Sequence, residues 1–312
     1  MERNRKILLV GFLILFASIP YANATDPPQV EWEKVYAGGV AGRATYVRQT
    51  PDGGYIATGF VQPAGAGSGR VYLLKTLSDG SPIWAKTFGE ADSAGNCAQQ
   101  TSDGGYIIAG WIKPDVNSNP SCNADDTYLI KTDAAGNKLW EKIFGGNNCN
   151  PVYKESDRAS SVQQTEDGGY IITGVTKMGV YGEGYLTVFK TDAQGNKIWE
   201  KIFNGLYFAN GRSIHKTSDG SYIVVGDTRS FSSLVKHIYL VKIKDDAVIL
   251  WEKIFDGPKW QEGNSVQPTS DGGYIISGLS IESAGNADVY LLKSDASGNK
   301  VWDRSFEVSA IT

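Results

Sequence analysis

The sequence is poor in residues that commonly bind metals. Its 312 residues include only three cysteines and two histidines, His215 and His237. The chain has no Cys-x-x-Cys pair and no His/Cys cluster, which argues against a structural zinc site. His215 is expected to be a polar residue of an inner strand, and His237, just before a strand, is expected to be exposed. We therefore expect no metal and no cofactor.

Clustered positive charge and long apolar runs are also scarce. The formal net charge is −4 and no Lys/Arg cluster is present, which argues against a nucleic-acid partner. The apolar run at residues 7–19 follows basic residues and precedes Ala-Asn-Ala at 22–24, as in a secretory signal peptide. The run is shorter than the roughly 20 residues that span a bilayer, so a retained anchor is the lesser alternative. We expect residues 1–24 to be removed and a monomer, residues 25–312, to be secreted or held at the cell surface without an integral membrane segment.

Regularly spaced tryptophans show that the chain is built from internal repeats. Six tryptophans recur at intervals of 50 to 60 residues: Trp32, Trp84, Trp140, Trp199, Trp251 and Trp302. A period of this length predicts a repeat architecture. The five units cover about residues 37–88, 89–144, 145–203, 204–255 and 256–306.

Each unit contains four short runs rich in Val, Ile, Thr, Tyr and Phe, which predict four β-strands joined by Gly-containing turns. The first turn of every unit contains an Asp-Gly pair, at Asp52, Asp103, Asp167, Asp219 and Asp271. Calcium loops place several acidic ligands within about a dozen residues. Each Asp-Gly turn has only one or two acidic residues, so we interpret these sites as hairpin turns and not as ligand sites.

Four-stranded antiparallel units repeated five times predict an all-β, five-bladed β-propeller with an extra N-terminal strand at residues 31–36. Large indoles at a fixed spacing are expected to pack one blade against the next. The segment "YLIKTDAAGNKLW" resembles the quinoprotein-type, WD40-like propeller repeat, and the combined pattern "DGGYI … YLxKTDxxGNxxW" is similar to repeats of secreted bacterial and archaeal surface propellers. The resemblance implies a fold and not an activity. Quinoprotein dehydrogenases have more blades, so no bound quinone is expected.

Loop length varies almost entirely on the propeller face opposite the Asp-Gly turns. Irregular loops on a rigid scaffold are typical of a binding surface. The aromatic residues of these loops are candidate ligand contacts, with hydrogen bonds expected from Asn147, Asn148, Asn210 and Gln261. The aromatic candidates are Tyr153, Tyr181, Tyr207, Phe208, Phe231 and Trp260. We expect a carbohydrate or an extracellular protein as partner, bound around Tyr207, Phe208 and Trp260.

The sequence offers no convincing set of catalytic residues, so adhesion or binding without catalysis is the expected function. The first alternative is a glycoside-active enzyme that uses carboxylates near the entrances of the first strands, namely Asp92, Asp157 and Glu262. A passive structural repeat protein of the cell surface is the second alternative. These alternatives stay open because propellers support binding, adhesion and catalysis alike.

The three cysteines leave one thiol unpaired in an oxidising compartment. Cys122 and Cys149 both fall in irregular loops of neighbouring units on the same face. We therefore expect a Cys122–Cys149 disulfide, which would add roughly 3 kcal/mol of stability. Cys97 falls in an inner strand and is expected to be a packed free thiol.

Overall fold

The computed structural model describes residues 30–36, 39–89, 92–113, 124–145, 156–178, 184–203, 208–229, 235–257, 259–281 and 287–307. None of these stretches contains a helix that is long and apolar enough to cross a membrane. They contain 20 strands in five separate four-stranded sheets. The protein is an all-β, five-bladed β-propeller.

Each sheet is a meander of four antiparallel strands in chain order. The first blade contains β1 (Ala41–Gln49), β2 (Tyr55–Gln62), β3 (Arg70–Thr76) and β4 (Pro82–Phe88). The second contains β5 (Ser93–Gln100), β6 (Tyr106–Ile112), β7 (Asp126–Thr132) and β8 (Lys138–Phe144). The third contains β9 (Ser156–Gln164), β10 (Tyr170–Met178), β11 (Tyr185–Thr191) and β12 (Lys197–Phe203).

The last two blades repeat this order. The fourth contains β13 (Phe208–Lys216), β14 (Tyr222–Arg229), β15 (Lys236–Ile243) and β16 (Ile249–Phe255). The fifth contains β17 (Trp260–Pro268), β18 (Tyr274–Ile281), β19 (Ala287–Ser294) and β20 (Lys300–Phe306). The second and third strands of the middle blades are nearly all buried because a neighbouring blade covers each face.

Each Asp-Gly turn holds an ion pair that the sequence analysis did not anticipate. In the first blade the Asp52 carboxylate accepts hydrogen bonds from the Thr50 hydroxyl and the Gly54 amide, and Lys75 Nζ lies 2.9 Å from Asp52 Oδ2. The lysine comes from the third strand and is almost fully buried. The other four blades repeat the pair: Lys131–Asp103, Lys190–Asp167, Lys242–Asp219 and Lys293–Asp271.

These turn aspartates are held ionised by their partners. The hydrogen bond from Thr50 and the adjacent Lys75 ammonium lower the pKa of Asp52 to about 2. Lys190 and Thr165 lower the pKa of Asp167 to about 2 in the same way. The acidic residue of each turn therefore has a protein partner, and it ties the first hairpin of a blade to its third strand.

Successive blades are joined by a tryptophan on the outer strand. Trp84 packs edge-on against Tyr106 of the next blade, with ring centroids 5.6 Å apart. A Cβ added at Gly136 would lie only 2.8 Å from the Trp84 ring, so any side chain at that position would collide with the indole. Trp140 packs edge-on against Tyr170 in the same way, and Trp251 packs against Tyr274 with tilted rings, the centroids being 5.9 Å apart in both pairs.

The N-terminal segment, residues 30–36, belongs to none of the 20 strands, unlike the extra strand expected from the sequence. Side chains hold it instead: Trp32 packs edge-on against Tyr55 at 5.8 Å, and Tyr36 donates a hydrogen bond to the Gly80 carbonyl at 2.7 Å. Trp32 thus takes the place that the outer-strand tryptophan of a preceding blade would occupy on the first blade.

The described blades form four junctions. The first strand of each of blades two to five packs on the second and third strands of the blade before it. Among the described residues, the fifth and first blades make no contact of comparable extent. In the part of the chain that the structure describes, the propeller is therefore open between these two blades.

Candidate functional site

The irregular face of the fourth and fifth blades holds a group of charged residues around Trp260. We call Arg212, Asp227, Arg229, Lys236, Trp260 and Glu262 the tryptophan–cation cluster. Arg212 lies in the middle of β13, and the other five members lie within the three residues at the strand end opposite the Asp-Gly turns. Trp260 begins β17, so one aromatic residue predicted for the binding surface is part of the cluster.

A buried aspartate forms the centre of the cluster. Asp227 is only 2% exposed. Its carboxylate accepts a hydrogen bond from Arg212 Nε at 3.0 Å and lies 3.2 Å from Lys236 Nζ. Asn210 donates to the same carboxylate at 3.2 Å. A buried carboxylate is strongly unfavourable without such partners, so this arrangement specifies one geometry for the surrounding cations.

The internal repeat shows that the scaffold itself does not need this aspartate. Asp227 directly follows the glycine of the second strand. The other blades place apolar residues in this position, namely Phe60, Trp111, Val175 and Leu279. Comparing the five repeats for a departure of this kind would have identified Asp227 from the sequence.

Glu262 connects the fourth blade to the fifth. Its carboxylate lies 2.8 Å from Lys236 Nζ and 3.3 Å from Arg212 Nη2, and it accepts a hydrogen bond from Trp260 Nε1 at 3.2 Å. Burial raises the pKa of Glu262, but Lys236 and Arg212 outweigh that effect and hold the pKa below its usual value. Glu262 is therefore ionised and fixes the orientation of the indole.

Two cations lie against the Trp260 ring, Arg229 at 4.8 Å and Lys236 at 5.2 Å from its centroid. The cluster has three cations and two carboxylates, in a chain whose net charge is −4. The partly exposed indole, with a guanidinium and an ammonium group against its ring, offers an apolar surface next to positive charge.

A second charged group, the aspartate cluster, lies at the junction of blades two and three and consists of Asp125, Asp126, Asp157, Arg158 and Trp111. Arg158 donates through Nε to Asp125 Oδ2 at 2.6 Å, and its guanidinium lies 5.0 Å from the Trp111 ring centroid. Asp125 Oδ1 is buried and accepts no hydrogen bond from the described residues.

Asp126 is a partly buried carboxyl group of this cluster with two acidic neighbours. Burial, with the nearby charges of Asp157 and Asp125, raises the pKa of Asp126 to about 6. Asp157 accepts a hydrogen bond from the Thr176 hydroxyl. A carboxyl whose pKa is raised by burial and by neighbouring carboxyl groups is an arrangement that acid–base catalysis uses.

The structure separates the three carboxylates that the sequence suggested for glycoside chemistry. Asp92 lies near the junction of blades one and two, where Lys113 Nζ is 3.4 Å from its Oδ2. Asp157 belongs to the aspartate cluster and Glu262 to the tryptophan–cation cluster. Within the described part of the chain, no three His, Cys, Asp or Glu side chains are placed to hold a metal ion.

Few of the other predicted site residues can be located. Phe208 begins β13, in the blade next to Trp260. Tyr153, Tyr181, Tyr207 and Phe231 lie outside the described residues, as do Asn147, Asn148, Cys122 and Cys149. Cys97 is a buried free thiol, as its strand position suggested. His237 was expected to be exposed but is buried within β15, because its strand begins one residue earlier.

No protein-family model and no curated protein sequence match the chain. Solved structures do match it. A protein of unknown function from Dyadobacter fermentans DSM 18053 matches with a TM-score of 0.54 and 11% identity, over 86% of this chain and 83% of that chain. An ulvan lyase, described as a new family of polysaccharide lyase, matches with a TM-score of 0.54 and 13% identity, over 85% and 69%. The chain shares their fold.

The expectation that the protein is not an enzyme is wrong, because a polysaccharide-cleaving enzyme is among the propellers of this shape. A second structure of an ulvan lyase, with -[GlcA(1-4)Rha3S]- bound, matches with a TM-score of 0.53 and 12% identity, over 85% of this chain and 69% of that chain. The repeat pattern predicts the scaffold of a propeller. It does not distinguish enzymes from binding proteins, because catalysis in a propeller depends on a few residues at strand ends and in loops.

Proposed function

We propose that the protein is a carbohydrate-active propeller that binds an acidic polysaccharide at the tryptophan–cation cluster. The observation that carries the proposal is the buried Asp227, which replaces an apolar residue and organises Arg212 and Lys236 beside Trp260. Uronate and sulfate groups would bind the cations, and a sugar ring would contact the indole. The bound polymer of the ulvan lyase contains both kinds of anion.

Binding measurements on the whole chain test this proposal. We expect a uronate-rich or sulfated polysaccharide to bind more tightly than a neutral glucan, with affinity that falls as salt is added. Trp260→Ala should weaken binding by at least about tenfold, as loss of an aromatic contact at the centre of a site does. Leu139→Ala is the control, since Leu139 is an exposed apolar residue on the outer strand of the second blade, away from the cluster.

Two results would reject the proposal. One is equal affinity for neutral and acidic polymers at low salt. The other is unchanged binding by the Trp260→Ala variant while its melting curve shows that it is folded. An effect of equal size from Leu139→Ala would place the contact away from the cluster.

Glycoside cleavage at the aspartate cluster is the second candidate function, favoured by the raised pKa of Asp126. Asp126 would donate a proton to the glycosidic oxygen, while Asp125 or Asp157 would act as the second carboxyl group that such reactions need. Release of reducing ends from a polysaccharide panel, lost in Asp126→Asn but kept in Asp92→Asn, would support hydrolysis. Products with a new carbon–carbon double bond would instead identify an elimination reaction.

A further inference from the structure

The four junctions between blades share one packing arrangement. In the first junction, Gly95 of β5 lies so close to Thr58 of β2 that a Cβ at Gly95 would be 2.2 Å from the Thr58 hydroxyl. Gly211 approaches Thr173 to the same distance in the third junction. A small residue on each first strand thus lets two blades pack backbone to backbone.

The fifth blade exposes the face that every other blade buries. Ile275 and Leu291 of this face are only partly buried. Their counterparts in the first blade, Ile56 and Leu73, are fully buried, as are those of the other three blades. On the outer strand Trp302 is 41% exposed. One half of a fifth junction is therefore present without a partner.

The first blade carries the complementary half. Its first strand, β1, has no fully buried residue, although the corresponding strand β5 is mostly buried. A groove of about 320 Å³ lies between the N-terminal segment and this sheet, lined among others by Ala44, Val47, Ala57 and Leu74. Trp32 fills only the outer end of the surface on which a preceding blade would pack.

We propose that these two faces bind each other between two copies of the chain, in a head-to-tail contact that replaces the expected monomer. Ala44 is the counterpart of Gly95, and Ser277 is the counterpart of Thr58. Both faces therefore have the residue sizes that the four internal junctions use. Because Trp32 holds the position that Trp302 would take, the incoming blade displaces the N-terminal segment. The two faces are different surfaces, so the contact can propagate beyond a dimer.

Engineered cysteines test the register of this contact. Ala44→Cys and Ser277→Cys are made as separate proteins, mixed and mildly oxidised, and linked peptides are identified by mass spectrometry. We expect a 44–277 cross-link in the mixture and none in the unmodified protein, since the corresponding internal residues, Gly95 and Thr58, are in direct contact and a disulfide needs such proximity. Trp302→Ala should reduce the linked fraction several-fold, and Trp32→Ala should increase it.

The other outcomes identify other arrangements. A 277–277 cross-link from Ser277→Cys alone would show a symmetric contact between two fifth blades and would overturn the proposal. A third protein carries both Ala44→Cys and Ser277→Cys. A 44–277 link within this chain, with no link between chains in the mixture, would show closure of the ring in one molecule and would also overturn the proposal. Absence of any link above that of the unmodified protein would reject the contact altogether. Melting curves of each variant exclude loss of folding as the cause.

Discussion

Asp126 keeps its proton to a higher pH than an exposed aspartate, because burial and two neighbouring aspartates raise its pKa to about 6. The folded state therefore binds more protons at this position than the unfolded state between about pH 4 and pH 6. Stability falls as the pH rises through that interval. A residue that costs stability in this way is a strong candidate for function.

Replacing Asp126 by Asn should stabilise the protein at pH 7.5 by about 1–2 kcal/mol, because the penalty for ionising a buried carboxyl disappears. At pH 4 the variant and the parent protein should be equally stable, since Asp126 is then protonated in the folded state. Urea unfolding at both pH values measures the difference. A gain of the same size at pH 4 would show that packing, and not ionisation, is responsible.

The hairpin between β15 and β16 departs from the other turns that join a third strand to a fourth. Gly80, Gly136, Gly195 and Gly298 have positive φ in these turns, whereas the fourth blade has Ala247 at φ 70°. It is the only described residue other than glycine with positive φ. An alanine in this conformation is strained by contact of its Cβ with the backbone.

Ala247→Gly should therefore stabilise the protein by about 0.5–1 kcal/mol. The free energy gained by relieving the backbone strain should exceed the cost of the greater conformational entropy of glycine in the unfolded chain. Chemical denaturation measures this change. Gly195→Ala is the matched reverse substitution and should destabilise more strongly, because the new Cβ would lie 2.8 Å from the Trp140 ring. Loss of stability in Ala247→Gly would mean that the alanine side chain makes a contact worth more than the strain.

At the scale of the whole molecule, the five turn ion pairs predict how the propeller responds to acid. Asp52, Asp103 and Asp167 have pKa values of about 2 in the folded protein, against 3.8 for an unperturbed aspartate. Their contribution to the free energy of unfolding is complete above about pH 4 and is lost as the pH falls towards 2. Each carboxylate is more than half exposed, so each contribution is small and the total comes from the repetition.

Asp52→Asn should lower the free energy of unfolding at pH 5 and make it less dependent on pH below 4. Asparagine keeps the turn but cannot pair with the Lys75 ammonium as a carboxylate does. Urea unfolding of the parent protein and the variant from pH 2.5 to 5 gives both slopes. Parallel curves would show that the Lys75–Asp52 pair does not contribute to the acid sensitivity.

Much of the scaffold could be predicted from the sequence because it depends on neighbours in the chain. Glycines at fixed intervals set positive φ in the turns, and short β-branched and aromatic runs set the strands. The spacing of the tryptophans set the number of blades, since each indole packs on the following unit. The Lys–Asp pairs were missed, although both residues recur in every unit, because strand pairing had to bring them together.

The candidate sites depended on contacts between residues far apart in the chain. Arg212 and Glu262 are 50 residues apart, and Arg158 and Asp125 are 33 residues apart, so neither pair forms a local motif. The open junction between the fifth and first blades was also invisible to the repeat pattern, which makes all five units look alike. Local conformational preferences determined the strands, the turns and the blade count. Tertiary packing decided which charges are buried together and which blade face has no neighbour, because burial and ion pairing depend on distances in space.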